Sequence, residues 1–413
     1  MNPQRLTRDY TNGIMSGRDV IVVSIQPWYY ELGSNCKNIA TQFSKHNRVL
    51  YVNIPITRRT YWSKQKSPGI AEHCNIIREK GTQIRKIKAN MWEFFPTTLI
   101  ESINSLPSTT LFRLINRINN GRFARDIQKA IKELDFKDYI VFNDNDIYNG
   151  FHLKELLNPS LYIYYCRDFL QGNPYWKRHC KVLEPLLIKK ADLVAANSTY
   201  YEEYCSQFNP ESYYMGQGCL LDSFDKQKPH PLPKELTTIK RPVIGYVGAV
   251  DSSRLDIAVV RIIAKHNPEW RIVLVGPEDE NFTKSDLHQL SNIIFTGRRP
   301  FEQLSDYIEH FDICMNPQLL NPLTIGNYPL KVDEYLSMGK PVVATETKAM
   351  ELFSGHTYLA KKADEYPALI EKALIENSPE KEKERITFAK SHTWENCMLE
   401  LYKAMAKHQP PLQ

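Results

Sequence analysis

The sequence predicts an α/β protein made of two domains, each with a parallel β-sheet whose faces are covered by helices. Two series of apolar, strand-like runs alternate with segments of helical periodicity, one series in each half of the chain. Between them lies the stretch DSFDKQKPHPLPKELTTIKR, which loses this periodicity and gains prolines, as an interdomain linker does. We therefore place the domains at residues 1–225 and 226–391, followed by a final helix at about 392–413.

The first series opens as a strand, a helix and a second strand. These are DVIVVSIQPW, GSNCKNIATQFSK with its Ser/Asn start, and RVLYVNIP. Further strands are KDYIVFNDND, SLYIYYCRDF and ADLVAANST, with LEPLLIKKA as a helix between the last two. Continuous apolar strands of this kind are typical of a parallel sheet that is buried on both faces.

The second series starts afresh after the linker. Its strands are PVIGYVGAV, WRIVLVGP, NIIFTG, FDICMNP and KPVVAT, separated by helical patterns such as LDIAVVRIIAKH and FEQLSDYIEH. Ligands bind at the strand ends of such sheets, and two of these halves leave a cleft between them. The final segment, HTWENCMLELYKAMAKH, follows after the second sheet is complete.

Composition excludes several classes of protein. The chain has 413 residues, 42% of them hydrophobic and 24% charged, which is ordinary for globular domains. Its N-terminal stretch MNPQRLTRDYTNGIMSGRD is polar, so we expect neither a secretory signal nor a membrane anchor. The eight cysteines form no CxxC pair, which favours reduced thiols and argues against zinc. A cytoplasmic protein is expected.

Positive charge is concentrated in one segment. Residues 58–125 hold thirteen lysines and arginines against four acids, whereas the whole chain has a net charge of only +6. Within it, LFRLINRINNGRFARDIQKAI can form a helix on which Leu111, Leu114, Ile115 and Ile118 share one face with arginines beside it. Such a basic amphipathic surface suggests contact with anionic lipid at the inner face of the plasma membrane. A core-packing helix with a solvated basic face is the alternative, and no motif supports nucleic acid.

A lysine stands where a short helix begins, in the stretch NPLTIGNYPLKVDEYLSMGKPVVATE. Helical spacing predicts a helix from about Lys331 to Met338, ended by Gly339 and Pro341 and followed by a buried strand. A cation at a helix N-terminus opposes the macrodipole, so local stability does not require Lys331. A phosphate bound by that lysine and by the free N–H groups of the first turn would explain it. Glu334, one turn on, could accept hydrogen bonds from two ribose hydroxyls; the alternative is a solvated Lys331/Glu334 pair.

Other motifs give weaker signals. Gly245 and Gly248 in IGYVGAV follow a strand and would allow a phosphate or sugar to approach the backbone. The chain has neither GxGxxG nor GxxxxGK[ST], which disfavours dehydrogenases and removes P-loop enzymes. Asp144-Asn145-Asp146 resembles a metal-holding DxD motif, but such clusters commonly cap helices and form turns. No nucleophile elbow indicates a hydrolase.

Asp168 is the best candidate for a general base in the first domain. It comes directly after the strand in YYCRDF, on the side that should face the cleft. The alternative is a structural turn pair between Arg167 and Asp168.

The chain resembles the two-Rossmann-domain (GT-B) glycosyltransferases of the bacterial group 4 type, close to those of teichuronic acid and capsule assembly. The stretches that carry the resemblance are VVSIQPWYYELGSNCKNIA, YYCRDF, KKADLVAANST, GYVGAVDS, FTGRRPFEQLSDYIEHFDICMNP and PLKVDEYLSMGKPVVAT. It implies two Rossmann-like domains facing a cleft, with a C-terminal helix that crosses back to the N-terminal domain. The implied donor-binding residues are Gly245, Gly248, Gly297, Arg298, Tyr328, Lys331 and Glu334. On the acceptor side, the resemblance implies Gly33, Ser34 and Asn35.

One position departs from the family pattern. Many retaining members carry a glutamate eight residues before the one that matches Glu334, and here that position is Gly326. Relatives similar to the xanthan glucuronosyltransferase use an aspartate base and invert, and Asp168 could match that residue. We therefore favour inversion at the anomeric carbon.

The expected function is transfer of a hexose-type sugar from a nucleoside diphosphate to a lipid-linked surface polysaccharide precursor, without metal or cofactor. Lys331 would stabilise the departing diphosphate and Asp168 would deprotonate the acceptor hydroxyl. A nucleotide-sugar 2-epimerase of the same fold and a non-catalytic nucleotide-sugar-binding scaffold remain the alternatives.

Overall fold

The computed structural model describes residues 10–11, 13–30, 33–172 and 174–408. The chain forms two compact units, one of Met1–Gly216 with Trp394–Gln413 (unit 1) and one of Gln217–Thr393 (unit 2). Some predictions fall outside the described residues. They are part of the expected signal-free N-terminus (residues 1–9 and 12), Glu31 and Leu32 of one family-like stretch, and the last five residues of the expected final helix.

Unit 1 has these elements in chain order: β1 Tyr10–Thr11, β2 Ile14–Met15, β3 Asp19–Ser24, α1 Asn35–Ser44, β4 Arg48–Val52, α2 Arg58–Trp62, α3 Pro68–Glu79, β5 Ile84–Lys88, β6 Met91–Phe94, α4 Thr109–Glu133, β7 Ile140–Asp144, α5 Leu153–Leu157, β8 Leu161–Cys166, α6 Pro174–Lys190, β9 Leu193–Ala196, α7 Thr199–Ser206 and β10 Ser212–Tyr214. The main sheet has the order β10-β9-β8-β7-β3-β4-β6-β5. Its strands pair in parallel except β5, which pairs antiparallel with β6 at the edge. The parallel sheet predicted for this domain is confirmed, whereas the β5–β6 pair was not foreseen.

Each face of the unit 1 sheet carries its own apolar core. Helices α4, α6 and α7 cover one face with side chains such as Phe112, Phe123 and Leu183. Helix α1 covers the other face together with the last helix of the chain, Trp394–Ala406, which contributes Trp394 and Leu401. The C-terminal helix therefore belongs to the unit that holds the N-terminal half of the chain.

Unit 2 has a second parallel sheet. Its elements are β11 Val243–Val247, α8 Ile257–His266, β12 Arg271–Val275, α9 Glu280–Thr283, β13 Ile293–Gly297, α10 Leu304–Glu309, β14 Ile313–Asn316, α11 Leu330–Ser337, β15 Val342–Thr345, β16 Tyr358–Ala360, α12 Tyr366–Glu376 and α13 Pro379–Lys390, and the last helix of unit 1 is α14. The strand order is β13-β12-β11-β14-β15-β16. The central strand β11 pairs with β12 and β14, so its carboxyl end lies in the middle of the sheet.

The segment expected to be a linker packs on unit 2. Phe224 and Leu236 are buried in the apolar core of that unit, and the division between the units falls before them, after Gly216. Helix α11 begins within a residue of its predicted start, and Gly339 follows it with a left-handed φ of +73°. Only glycine adopts this conformation without a Cβ penalty, which explains why the helix ends there.

The cations of the basic segment belong to several elements. Its cations are spread over α2, α3, the edge strand β5 and α4, and several are paired: Glu101 accepts from Arg58 and Arg122, and Glu72 from Arg85. Of the predicted apolar stripe on α4, only Ile115 packs against the core. Leu111, Leu114 and Ile118 are exposed, while the buried face consists of Phe112, Phe123 and other side chains between and beyond them.

None of the helices in the described ranges combines the length and apolar character needed to cross a bilayer. All eight cysteines are buried as free thiols.

Candidate active site

The start of α11 holds a cation that forms no ion pair with any described residue. The Lys331 ammonium donates to the Tyr246 hydroxyl over 2.7 Å and lies 4.4 Å from the centre of the same ring. Within the described residues no acid lies within ion-pairing distance of it, so the solvated Lys331/Glu334 pair considered above does not form. No side chain caps the N-terminus of α11. A cation and uncapped helical N–H groups therefore stand together, which suits an anion.

Glycine lets the backbone approach this lysine. Gly248 has a φ of +141°, and a Cβ at this position would lie 3.2 Å from Lys331 Nζ. Gly276, after β12, presses on the same loop, because its own Cβ would stand 1.8 Å from the Gly248 carbonyl oxygen. Neither residue can be replaced without moving the loop that faces Lys331.

Gly245 was expected beside the ligand, and the structure gives it another role. It lies inside β11, where an added Cβ would stand 2.0 Å from the Phe311 ring. Its small size serves the packing of that ring beneath the sheet. The ligand approach expected at Gly245 stays a prediction.

Glu334 is a half-buried carboxylate for which the described residues provide no hydrogen-bond or ion-pair partner. Burial raises the pKa of this carboxyl to about 7, with Lys331 opposing the rise and Asp333 adding to it. An unsatisfied acceptor beside an unneutralised cation is costly without a ligand. Both groups are therefore available to bind one.

Asp333 holds the first turn of α11 in place, and the sequence analysis missed it. This fully buried carboxylate accepts from the Tyr328 hydroxyl over 2.6 Å and from the Cys219 thiol over 3.2 Å, and lies 2.6 Å from His392 Nδ1. Tyr328, expected at the donor, thus has its hydroxyl directed at Asp333. The only sequence feature that could have indicated this role is that Asp333 stands next to Glu334.

Tyr335 fixes α11 to the sheet. Its hydroxyl accepts from the Val247 N–H over 2.8 Å and donates to the Val247 carbonyl over 3.2 Å. Because Val247 is the last residue of β11, this side chain sets the position of the helix relative to the Gly248 loop. The lysine and the loop are therefore held by one rigid frame.

A cavity of about 220 Å³ adjoins Lys331. Its lining consists of Arg254, Leu255, Asn316, Gln318, Thr324, Asn327, Tyr328, Pro329, Leu330 and Lys331. None of these residues is acidic, and Arg254, which the sequence analysis overlooked, is exposed and has no side-chain partner in the part of the chain that is described. Asn316 is 4% exposed, and its amide nitrogen is buried without a hydrogen-bond partner. The cavity therefore presents donors and positive charge.

Two further expected donor residues, Gly297 and Arg298, lie at the end of β13, and Gly326 is the position that departs from the family pattern. Gly297 ends β13 with a φ of +68° and bridges to Gly276, which in turn touches the Gly248 loop. Arg298 follows it, exposed, with no side-chain partner within the described ranges. Gly326 is buried in the segment between β14 and α11, and it leaves the nearby cavity without a carboxylate.

In unit 1, Asp168 belongs to a compensated cluster. Its side chain is 42% exposed and forms an ion pair with Arg167. The same guanidinium donates to Asp144 over 2.7 Å, and the buried Asp144 also accepts from the Ser24 hydroxyl over 2.7 Å. The turn pair considered above is therefore formed, and Asp168 remains the exposed carboxylate of the cluster.

The Asp144-Asn145-Asp146 motif is built into the fold. Asp146 is buried and accepts from both the backbone and the side-chain N–H groups of Asn149, at 2.9 and 3.0 Å. Across the described residues, no group of three or more His, Cys, Asp or Glu side chains is arranged to hold a metal ion.

The expected acceptor-side residues lie at the start of α1. Ser34 caps this helix by accepting from the Lys37 N–H over 3.3 Å, and Asn35 donates to the Tyr165 hydroxyl over 3.4 Å. Gly33 is exposed, with open space where a Cβ would be. A separate cavity in unit 1, of about 180 Å³, lies near the ends of β3 and β4. Its polar lining includes Thr57, Glu101, Ser102, Asn104, Asn116, Asn119 and Asn149, and its aromatic lining Tyr148, Tyr175 and Trp176.

Comparison with known proteins finds similar sequences for parts of this chain. Residues 241–376 match the model of the family described as glycosyl transferases group 1. The chain is 27% identical over 279 residues to the putative teichuronic acid biosynthesis glycosyltransferase TuaH of Bacillus subtilis strain 168, covering 62% of this chain and 70% of the relative.

Several solved structures share the fold. They include sucrose-phosphate synthase from Thermosynechococcus elongatus (TM-score 0.63, 13% identity, 94% of this chain and 98% of that one). Another is Anabaena Alr3699/HepE in complex with UDP and glucose (TM-score 0.59, 15% identity, 95% of this chain and 98% of that one). A glycosyltransferase from Rickettsia africae ESF-5 is a third (TM-score 0.62, 12% identity, 95% of this chain and 100% of that one). Residues 241–376 are therefore similar to the group 1 glycosyl transferases, and the chain has the two-domain GT-B fold of these structures.

Proposed function

We propose that the protein transfers a sugar from a nucleoside diphosphate sugar to a hydroxyl group of a surface polysaccharide precursor. The observation that carries this proposal is the pair of unsatisfied groups on α11, the Lys331 ammonium and the Glu334 carboxylate. Neither forms an ion pair with a described residue, and both stand on a helix whose position is fixed by Tyr335 and Asp333.

The donor site is proposed to lie around the first turn of α11. Lys331 would contact the diphosphate, with the Gly248 backbone and the uncapped N–H groups of α11 beside it, and Arg254 would add a second cation from the cavity wall. Charge that develops on the leaving diphosphate would then be stabilised by groups already in place. Glu334 would accept hydrogen bonds from the ribose hydroxyls. Anabaena HepE has been solved in complex with UDP and glucose and with UDP-glucose, which supports a nucleoside diphosphate donor.

The acceptor is proposed to be handled by unit 1. Asp168 would remove the proton from the acceptor hydroxyl, and the cavity of about 180 Å³ offers amides, hydroxyls and aromatic rings, which suit a sugar. The name of the TuaH relative refers to teichuronic acid biosynthesis, which supports a cell-surface glycan as product. A lipid-linked precursor at the inner face of the plasma membrane is the acceptor we propose.

In this mechanism the positive charge that stabilises the departing diphosphate comes from side chains. Lys331 and Arg254 would do what a divalent cation does in metal-dependent transferases, so transfer is expected to continue in EDTA. Activity that disappears in EDTA and returns with Mg²⁺ would contradict this part of the proposal.

A thermal-shift screen of nucleoside diphosphates, followed by a transfer assay with the best donor, tests the function. A ligand at about 100 times its dissociation constant adds about 2.7 kcal/mol to the free energy of unfolding. The Lys331→Ala variant should lose this shift, and Lys361→Ala, a change at a lysine whose side chain is 74% exposed, should keep it.

The product distinguishes the proposal from its alternatives. Sugar transferred to a glycan or lipid extract supports a transferase. An isomerised donor formed without any acceptor would indicate an epimerase, and a thermal shift without turnover against any acceptor would indicate a binding scaffold.

A further inference from the structure

Helices α4 and α6 lie side by side on one face of the unit 1 sheet. The Phe112 ring of α4 stacks on the His179 ring of α6 with centroids 4.1 Å apart. Arg178 of α6 donates to the carbonyl of Leu106, just before α4. The inner faces of both helices pack into the same apolar core, so their outer faces are exposed on the same side of the unit.

Apolar side chains occupy these outer faces. On α4, Leu111, Leu114 and Ile118 are 44%, 62% and 55% exposed, and on α6, Val182 and Leu186 are 44% and 38% exposed. Their spacings of three and four residues align them along each helix. Isolated exposed apolar residues are common, but two adjacent stripes form a patch of the kind that marks an interaction site.

Unpaired cations flank the apolar stripes. Arg113 and Arg117 belong to α4, and Lys177, Lys181 and Lys189 to α6; all are exposed, and none has an ion pair or a side-chain hydrogen bond within the described residues. Acids are missing from both outer faces over residues 109–125 and 175–190. The one acid in these ranges, Glu184, is buried and accepts from the Tyr164 hydroxyl.

We propose that the outer face of α4 and α6, the docking face, binds an anionic lipid bilayer. Apolar side chains would enter the boundary between headgroups and acyl chains while the cations contact lipid phosphates. A second copy of the chain fits poorly, because a two-fold contact would press the docking face against itself and oppose cation to cation. An anionic surface that also accepts apolar side chains meets both requirements.

The proposal goes beyond sugar transfer, because it requires neither donor nor turnover. It has a spatial consequence for the acceptor. Tyr175 and Trp176 of the first turn of α6 line the unit 1 cavity, so the docking face continues to the edge of that cavity. A lipid-linked precursor in the same bilayer would have its glycan close to this opening.

Co-sedimentation with vesicles tests the docking face directly. The full chain is mixed with vesicles of phosphatidylcholine alone or with one third phosphatidylglycerol, at low and at high salt. We expect binding to the anionic vesicles that fades as salt is raised, because salt screens the cations over about 10 Å at 0.1 M.

Matched variants separate the two contributions. Arg113→Glu with Arg117→Glu reverses charge on the docking face and should weaken vesicle binding by at least about 10-fold. Leu114→Ser with Ile118→Ser removes the apolar part and should also weaken it. Lys284→Glu with Lys361→Glu makes the same change of net charge on unit 2, at side chains 71% and 74% exposed, and should leave binding unchanged. Thermal unfolding checks that each variant is folded.

Several results would overturn the proposal. They are absence of sedimentation at low salt, equal binding to neutral and anionic vesicles, and docking-face variants that bind as well as the unit 2 control. A dimer in sedimentation velocity that the Leu114→Ser/Ile118→Ser variant dissociates would instead assign the face to a second copy. The Lys331→Ala variant should sediment like the wild type, so failure of the proposed function leaves this test intact.

Discussion

The two charged clusters of this protein are built in opposite ways. In unit 1, Arg167 pairs with both Asp144 and Asp168, and Asp144 is buried with a further hydrogen bond from Ser24. In unit 2, Lys331 has only the hydroxyl and ring of Tyr246, and the neighbouring Glu334 has no partner that the described residues provide. One cluster neutralises its own charges, while the other has a cation and a carboxylate that form no ion pair with any described residue.

This difference predicts that the unit 1 cluster contributes to the stability of the fold and that Lys331 contributes to ligand binding. Breaking a buried pair leaves an uncompensated charge and is strongly destabilising, whereas an unpaired cation at a surface adds little to stability. Changes at Asp144 should therefore unfold the protein more readily, and changes at Lys331 should leave the fold intact while removing ligand binding. Asp168 fits both roles, because it belongs to the compensated cluster and its side chain is 42% exposed.

The largest expected effect is at Asp168. If it is the general base, Asp168→Asn should lower transfer by about 100- to 10,000-fold while donor affinity stays within a small factor. Kinetics of the variant and NMR of the new glycosidic linkage measure rate and configuration, and we expect inversion. Asp144→Asn is the comparator and should instead destabilise the fold by on the order of 3 kcal/mol. A product that keeps the donor's configuration, or a near wild-type rate in Asp168→Asn, would make Asp168 purely structural.

The next effect is at Lys331. Lys331→Ala removes one stabilising charge from the leaving group and should cost on the order of 100-fold in turnover, with an unchanged melting temperature. Steady-state kinetics and thermal unfolding measure both, with Lys361→Ala as control. Near-normal turnover would place Lys331 outside the reaction and remove the contrast between the clusters.

A smaller effect is expected at Glu334. Glu334→Gln keeps one acceptor oxygen but loses the charge, and hydrogen bonds to charged groups contribute about 1.5–3 kcal/mol. Donor affinity should therefore fall by about 10-fold, with a lesser change in the maximal rate. Calorimetric titration of a nucleoside diphosphate into both proteins measures this, and equal affinities would count against the ribose contact.

The smallest effect is a pH dependence. Burial raises the pKa of Glu334 to about 7, and the ribose contact requires the ionised carboxylate. Affinity for a nucleoside diphosphate sugar should rise a few-fold between pH 6 and 8, and Glu334→Gln should lose this dependence. In the free protein, the contribution of Glu334 to the free energy of unfolding changes with pH in the opposite direction to the ligand affinity. The raised pKa stabilises the fold at pH values below the unfolded pKa, and this contribution is lost as the pH rises through about 7. Affinity that falls with pH would contradict the assignment.

Local signals made α11 and its surroundings predictable. Gly339 and Pro341 end the helix through their backbone conformations. Val342 to Ala344 form an apolar run that is too short for another helix, which predicted the buried strand β15. Lys331 could be singled out because it contradicts a local rule, the macrodipole preference. Each of these inferences depends on residues within one or two turns of each other.

What the sequence did not reveal depends on distant partners. The pairing of Arg167 with Asp144 and the hydrogen bond from Ser24 join three separate strand ends, so the sequence indicated the Arg167/Asp168 turn pair but not its extension to Asp144. On α4 the sequence left two interpretations of the stripe open, a surface for anionic lipid and a core-packing face, and the structure places Asn116 and Asn119 on the buried face. These amides are accepted there because they bond the carbonyls of Tyr148 and Glu101.

The return of α14 to unit 1 makes unit 2 an insertion within a single sequence-discontinuous domain. The two ends of that insertion are neighbours, since the Cys219 N–H donates to the His392 carbonyl over 2.9 Å. Insertions with adjacent ends are the kind that a host domain tolerates gaining or losing. We therefore expect that residues 217–393 can be deleted as one piece, with a short turn joining Gly216 to Trp394 so that α14 stays on the unit 1 sheet.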